Sequence, residues 1–252
     1  MSGSVWQVRA FVNSRPRPAR RRDRSRRRTP LGPDTLSATA ARPDLSMAQQ
    51  AYLQLRERLV MLDITPGEPL NEQALAAELQ VGRTPLREAI KRLETEHFLV
   101  TFARRGTFAT RVDPTALAEI SEVRQALEPL AARRAARLAD RSGREDLEAI
   151  RTALLALDRT STPRRHMEMD VQVHTTIYAL ARNSHLESSL THFLFLAMRI
   201  WSAAVRRLED VSSHVAEHVR LIDAVATGDE DLAARLMLEH MEHFEDAIRR
   251  VL

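Results

Sequence analysis

The sequence predicts a mostly α protein in two parts. Three helices and a β-hairpin come first, then an all-α bundle of about six or seven helices. Three observations carry this. Apolar residues recur at helical spacing from Met47 to the C-terminus. The stretch that breaks the period, residues 99–112, is β-rich and centred on Arg104-Arg105-Gly106. Capping residues and Pro or Gly stops fall between the periodic runs.

Residues 1–46 carry Arg20-Arg21-Arg22 and Arg26-Arg27-Arg28 amid Pro, Ser and Thr, with no apolar period. That composition predicts a disordered Arg-rich extension. Its eleven Arg against three Asp balance to +8, whereas the rest of the chain, with 27 basic and 31 acidic groups, balances to −4. Met47, which opens the first helix, is a second candidate start. The extension offers nonspecific phosphate contact as its alternative role.

In residues 47–113, Tyr52, Leu55, Leu59 and Leu62 mark the first helix, and Pro66-Gly67 turns the chain. A short helix spans about 71–79. Val81-Gly82-Arg83 breaks it, and Thr84 before Pro85 is the expected cap of the next helix. That helix buries Leu86, Ile90 and Leu93. Two short strands, about 99–103 and 107–112, follow it.

From 114 to 252 only helices are expected. They run over about 114–139 (cap Asp113), 143–159 (Ser142 with Glu145), 163–182 (Thr162 before Pro163), 185–210 (Ser184 with Glu187, broken once at most), 213–227 and 230–251.

Composition excludes several classes. With no Cys there is no disulfide framework, thiolate metal site or Cys nucleophile. No G-x-G-x-x-G or G-x-x-x-x-G-K-[ST] occurs, which argues against a nucleotide-cradling loop. There is no apolar run of about 18 residues to span a membrane. No apolar segment follows the Arg runs as a secretory signal requires, so a cytoplasmic location is expected.

The helix after Thr84 places Arg83, Arg87 and Lys91 four residues apart on one side, opposite its apolar face. Three cations in a row need an anionic partner. Phosphates and guanine edges of double-stranded DNA supply one. The run Leu75-Ala76-Ala77-Glu78-Leu79-Gln80-Val81-Gly82-Arg83-Thr84-Pro85-Leu86-Arg87-Glu88-Ala89-Ile90-Lys91-Arg92-Leu93 resembles the winged helix–turn–helix of the GntR family, across about residues 48–112. The resemblance implies that Arg83, Thr84 and Arg87 contact operator bases and phosphates, with Lys91 on the same stripe. It also implies that Gln73 touches phosphate at a helix start and that Arg104, Arg105 and Gly106 form the wing tip. Gly82 stands where the family usually has Ser or Thr, and His97 where it often has Gly.

In the second part, Asp170 and His174 lie four apart on a stripe with Met167, Ile177 and Ala181, hence inward. His218 and His240 also share stripes with apolar residues. A buried carboxylate is costly unless paired or metal-bound, and these four side chains, from three helices, can meet around one divalent ion. Residues 115–250 resemble the FCD ligand-binding domain of the FadR subfamily. Its metal-binding members carry Asp-x-x-x-His and two later His about 22 residues apart. The resemblance implies a metal at Asp170, His174, His218 and His240, with His214 and His243 one turn away as substitutes. Donor type alone does not choose among Zn, Ni, Mn and Fe.

Arg124 shares a stripe with Leu117, Ile120 and Leu127, and an inward guanidinium needs an anion. One reading is an organic-acid effector held between Arg124 and the metal, with Arg199 and Asn183 as weaker pocket candidates. The other is an ion pair with Glu128. The resemblance implies a homodimeric repressor released by a small carboxylate. A DNA-binding regulator with a purely structural metal stays open. A metal-dependent hydrolase is disfavoured, since no His-Glu-x-x-His and no well-placed general base accompany the cluster.

Overall fold

The computed structural model describes residues 45–158, 161–204 and 212–251. The expected disordered extension therefore lies outside the described residues, apart from Leu45 and Ser46. Ser46 caps helix α1 (Met47–Val60): its side chain accepts from Gln49 N, and the Gln49 side chain returns to the Ser46 backbone. Tyr52, Leu55 and Leu59 are buried, as their spacing requires. Leu62 falls beyond the helix at φ 60°.

Asn71 caps α2 (Glu72–Glu78) and Gly82 precedes α3 (Arg83–Thr95). The expected cap at Thr84 is corrected, because Thr84 already lies inside the first turn. Pro85 is tolerated there because first-turn N–H groups have no intrahelical acceptor. Strands β1 (Leu99–Phe102) and β2 (Gly106–Ala109) pair antiparallel, with Phe102 opposite Gly106. Arg104 at φ 63° and Gly106 at φ 98° turn the hairpin. The segment after Gly67 was not expected to pair, but it adds an edge to the wing: Leu70 N donates to Thr107 O and Ala109 N to Glu68 O.

The second lobe comprises α4 (Ala116–Leu138), α5 (Arg141–Leu155), α6 (Pro163–Leu180), α7 (Ser184–Ala204), α8 (Ser212–Thr227) and α9 (Glu230–Arg249). Thr162 caps α6 as expected, with Pro163 at its start. Three other caps differ from expectation. Thr115 precedes α4, while Asp113 accepts from the Thr115 backbone and hydroxyl. Asp140, not Ser142, caps α5. Asn183 Oδ1 accepts from the backbones of His185 and Leu186, so Asn183 starts α7.

α4 packs against α9, α7, α6 and α8, which makes it the spine of the bundle. The two lobes meet where α7 crosses α1 and the base of the wing. Buried Arg199 on α7 donates to Thr110 O at 2.7 Å and to Thr110 Oγ1 at 2.6 Å. Arg56 on α1 stacks over the Phe195 ring at 3.7 Å. Arg164 on α6 pairs with Glu57 and with Asp63. Among the described residues, no helix is long and apolar enough to cross a membrane.

Candidate metal centre and DNA-facing helix

The recognition helix presents what its periodicity requires. Leu86, Ala89, Ile90 and Leu93 are buried, while Arg83, Thr84, Arg87 and Lys91 are exposed. Gln73 on α2 and Arg104, Arg105 and Gly106 on the wing are exposed as well. Arg87 Nε lies 3.2 Å from Glu72 Oε2, a solvent-exposed pair that exchanges cheaply for phosphate or guanine.

In the second lobe α6, α8 and α9 bring a carboxylate and four imidazoles together. Asp170 and His174 stand one turn apart on α6, and α8 supplies His214 and His218, again one turn apart. α9 supplies His240. Three of the predicted ligands, Asp170, His218 and His240, cluster with His214, the predicted near miss, while His174 stands beside them. One donor atom each from Asp170, His214, His218 and His240 lies within 4.8 Å of the others. His174 Nε2 faces His240 Nε2 at 3.3 Å and Asp170 Oδ1 at 4.0 Å. His214 Nε2 and His218 Nε2 approach Asp170 Oδ1 at 2.7 and 3.3 Å. His243, the other near miss, is exposed and points its Nδ1 at Glu217 instead.

Two carboxylates fix how these rings present themselves. His174 Nδ1 is 2.8 Å from Glu128 Oε2, and His240 Nδ1 is 2.9 Å from Glu217 Oε2. Ionised carboxylates only accept, so each Nδ1 carries a hydrogen and each Nε2 is turned towards the cluster. The two Nε2 atoms stand 3.3 Å apart, close enough to share one cation. His218 Nε2 and Asp170 Oδ2 are also buried without a hydrogen-bond partner. Burial, partly opposed by Asp170, holds the His218 imidazole down to about 4, and burial together with neighbouring imidazoles holds His240 lower than usual. Both are therefore neutral near pH 7, the form that binds metal. Burial pushes the Asp170 carboxyl up, but His174, His214 and His218 outweigh it and keep it well below the usual range. The donor set is thus anionic, nitrogen-rich and dry, and it fits a divalent transition metal.

Glu128 and Glu217 are the residues that sequence reasoning did not place at the site. Glu128 entered only as a possible partner of Arg124. The available signal was its position, one turn after Arg124 on the inward stripe of α4. Arg124 is buried, with Nε 2.5 Å from Glu128 Oε1, so the ion pair is formed; its Nη2 is buried without a partner. The weaker pocket candidates are corrected. Arg199 is committed to Thr110 and the Phe98 carbonyl at the lobe boundary, and Asn183 is the cap of α7.

Comparison with known proteins agrees with both lobes. Residues 47–109 match the gntR family of bacterial regulatory proteins, and residues 119–243 match the FCD domain. The chain is 33% identical over 193 residues to the Nta operon transcriptional regulator of Aminobacter aminovorans, covering 74% of this chain and 87% of that protein. It is 26% identical over 202 residues to the gluconate operon transcriptional repressor of Bacillus subtilis, covering 77% and 82%. The solved structure of E. coli McbR/YncC superposes with a TM-score of 0.74 at 18% identity, over 82% of this chain and 98% of that one, which speaks to the fold alone. The chain belongs to the GntR family of bacterial transcriptional regulators, carries an FCD domain, and is a DNA-binding regulator, not an enzyme.

Proposed function

We propose that this regulator is a cytoplasmic, FadR-type homodimeric repressor whose FCD domain holds one divalent metal ion and senses a small carboxylate. The observation that carries the reading is the pair of Nε2 atoms, on His174 and His240, 3.3 Å apart beside two buried donors without hydrogen-bond partners. Asp170, His174, His218 and His240 would hold the ion. When bound, it supplies a Lewis-acidic position for a carboxylate oxygen. Arg124 Nη2, buried and unpartnered, supplies the second anchor for the anion.

On the DNA side, Arg83, Thr84, Arg87 and Lys91 face the major groove. Gln73 contacts phosphate, and Arg104, Arg105 and Gly106 engage the flanking backbone. Two copies of this single recognition helix read a two-fold operator. The repressor direction follows the relative named for repression of a gluconate operon.

The Arg124–Glu128 ion pair favours a second reading, in which the guanidinium is purely structural and the metal serves stability alone. Thermal melting of the full chain with a panel of small carboxylates, with and without chelator, separates the two. A sensor gives a carboxylate-specific upward shift that chelator abolishes. A structural metal gives a chelator effect and no carboxylate effect. Indifference to both rejects the metal reading.

A further inference from the structure

Five donors converge where four would hold an ion, and they are not equally anchored. Metal–ligand distances of about 2.0–2.1 Å put right-angle donors about 3 Å apart and opposed donors about 4 Å apart. The separations found here are 2.7, 3.3, 3.3 and 4.0 Å, and the donor atoms of Asp170, His214, His218 and His240 all lie within 4.8 Å of one another. His174 is braced by Glu128 and His240 by Glu217, and His174, His218 and His240 are all essentially inaccessible. His214 differs on both counts. Its side chain is 16% exposed, at the first turn of α8, and among the described residues no group hydrogen-bonds its Nδ1. Its ring meets Trp201 edge-on at 5.6 Å and lies tilted against Phe244 at 5.8 Å, which guide it without tethering it.

We infer that His214 is a displaceable donor of the metal centre, holding the position that an incoming carboxylate takes. This rests on the metal reading above. With four imidazoles and a carboxylate in place, a four- or five-coordinate ion has no vacancy, so an anion that binds through it replaces a ligand. The ligand without a bracing carboxylate, and with a path to solvent, leaves at the lowest cost. Its departure frees the first turn of α8 from Asp170, which gives effector binding a mechanical consequence within the bundle. The site thereby selects carboxylates that compete with an imidazole for a metal ion, and it disfavours neutral ligands.

The test uses the full chain loaded with Co²⁺ and acetate as probe. Visible absorption reports the ligand field, and circular dichroism reports folding. The parent and His214→Ala are both expected to bind one Co²⁺. The variant's spectrum should differ, and acetate should bind it about tenfold more tightly, as follows when His214 blocks its position in about nine-tenths of molecules. His214→Gln provides the same readout if the Ala variant misfolds. Superimposable spectra with equal acetate affinity overturn the inference. So does loss of Co²⁺ from a folded variant, because His214 would then be obligatory. A parent that takes up no Co²⁺ overturns the metal reading itself, and this inference with it.

Discussion

Glu128 Oε2 lies 2.8 Å from His174 Nδ1, while its other oxygen holds Arg124 Nε at 2.5 Å, with all three side chains buried. One carboxylate thus orients a metal-facing imidazole and neutralises the guanidinium nearest to it. Burial pushes Glu128 up, yet Arg124 and His174 outweigh that and hold it down to about 2.

Glu128→Gln is therefore expected to act twice. An amide cannot match the carboxylate as acceptor for His174 Nδ1–H, so metal affinity should fall by about 10–100-fold, read by competition with a chromophoric chelator. It also leaves Arg124 as a buried, unneutralised charge, which should cost about 3–5 kcal/mol in denaturant unfolding. Unchanged values for both would make the chain of contacts incidental.

The chelated protein should lose stability in acid over a defined window. His218 is depressed from 6.5 to about 4, so between those values the unfolded chain binds a proton that the folded chain refuses. Stability attached to His218 is complete above about pH 6.5 and is lost as pH falls towards 4; buried His240 acts in the same direction. Glu128 adds a loss that begins below its unfolded value of 4.5 and continues towards 2. Melting temperature measured from pH 8 to pH 4 in chelator should fall most steeply below pH 6.5. A flat profile would mean that these groups titrate normally.

Arg87→Ala should weaken operator binding by about 1–3 kcal/mol and relax preference at one base position, measured by fluorescence anisotropy on operator variants. Lys91→Ala should weaken binding to all sequences alike and reduce the salt slope by about one. The Arg87–Glu72 pair is exposed, so neither change should unfold the domain.

Arg199→Met should loosen the lobes from each other. The guanidinium serves the Thr110 carbonyl and hydroxyl, and removing it leaves the part-buried carbonyl without this donor, at about 1 kcal/mol or somewhat more. Calorimetry should then resolve two transitions where the parent melts in one. A single, unshifted transition would contradict a coupling role for this contact.

The features legible in the sequence were those with local causes. The stripe of Leu86, Ile90 and Leu93 opposite Arg83, Arg87 and Lys91 needed only helical spacing, as did the inward facing of Asp170, His174, His218 and His240. Caps were less legible, because a cap depends on which residue leaves helical backbone angles as well as on residue type. Asp140 therefore displaced Ser142, and Asn183 displaced the expected Ser184 start. Arg199 was read only as a weaker pocket candidate; it is buried, but its partner was not legible. That partner lies 89 positions away in the wing strand's exit. His214 and His218 share one face of α8, so spacing alone could not say whether one or both reach the site. Glu128 and Glu217 were hidden because each acts across helices.

The proposed metal centre is one cluster in the FCD domain that holds one cation. Elemental analysis of the purified full chain beside a folded His218→Ala/His240→Ala variant tests it most directly. About one divalent transition-metal ion per chain in the parent, absent from the variant, is the expected result. Equal metal content in the two proteins, or none in the parent after incubation with Zn²⁺ or Ni²⁺ and desalting, would contradict it.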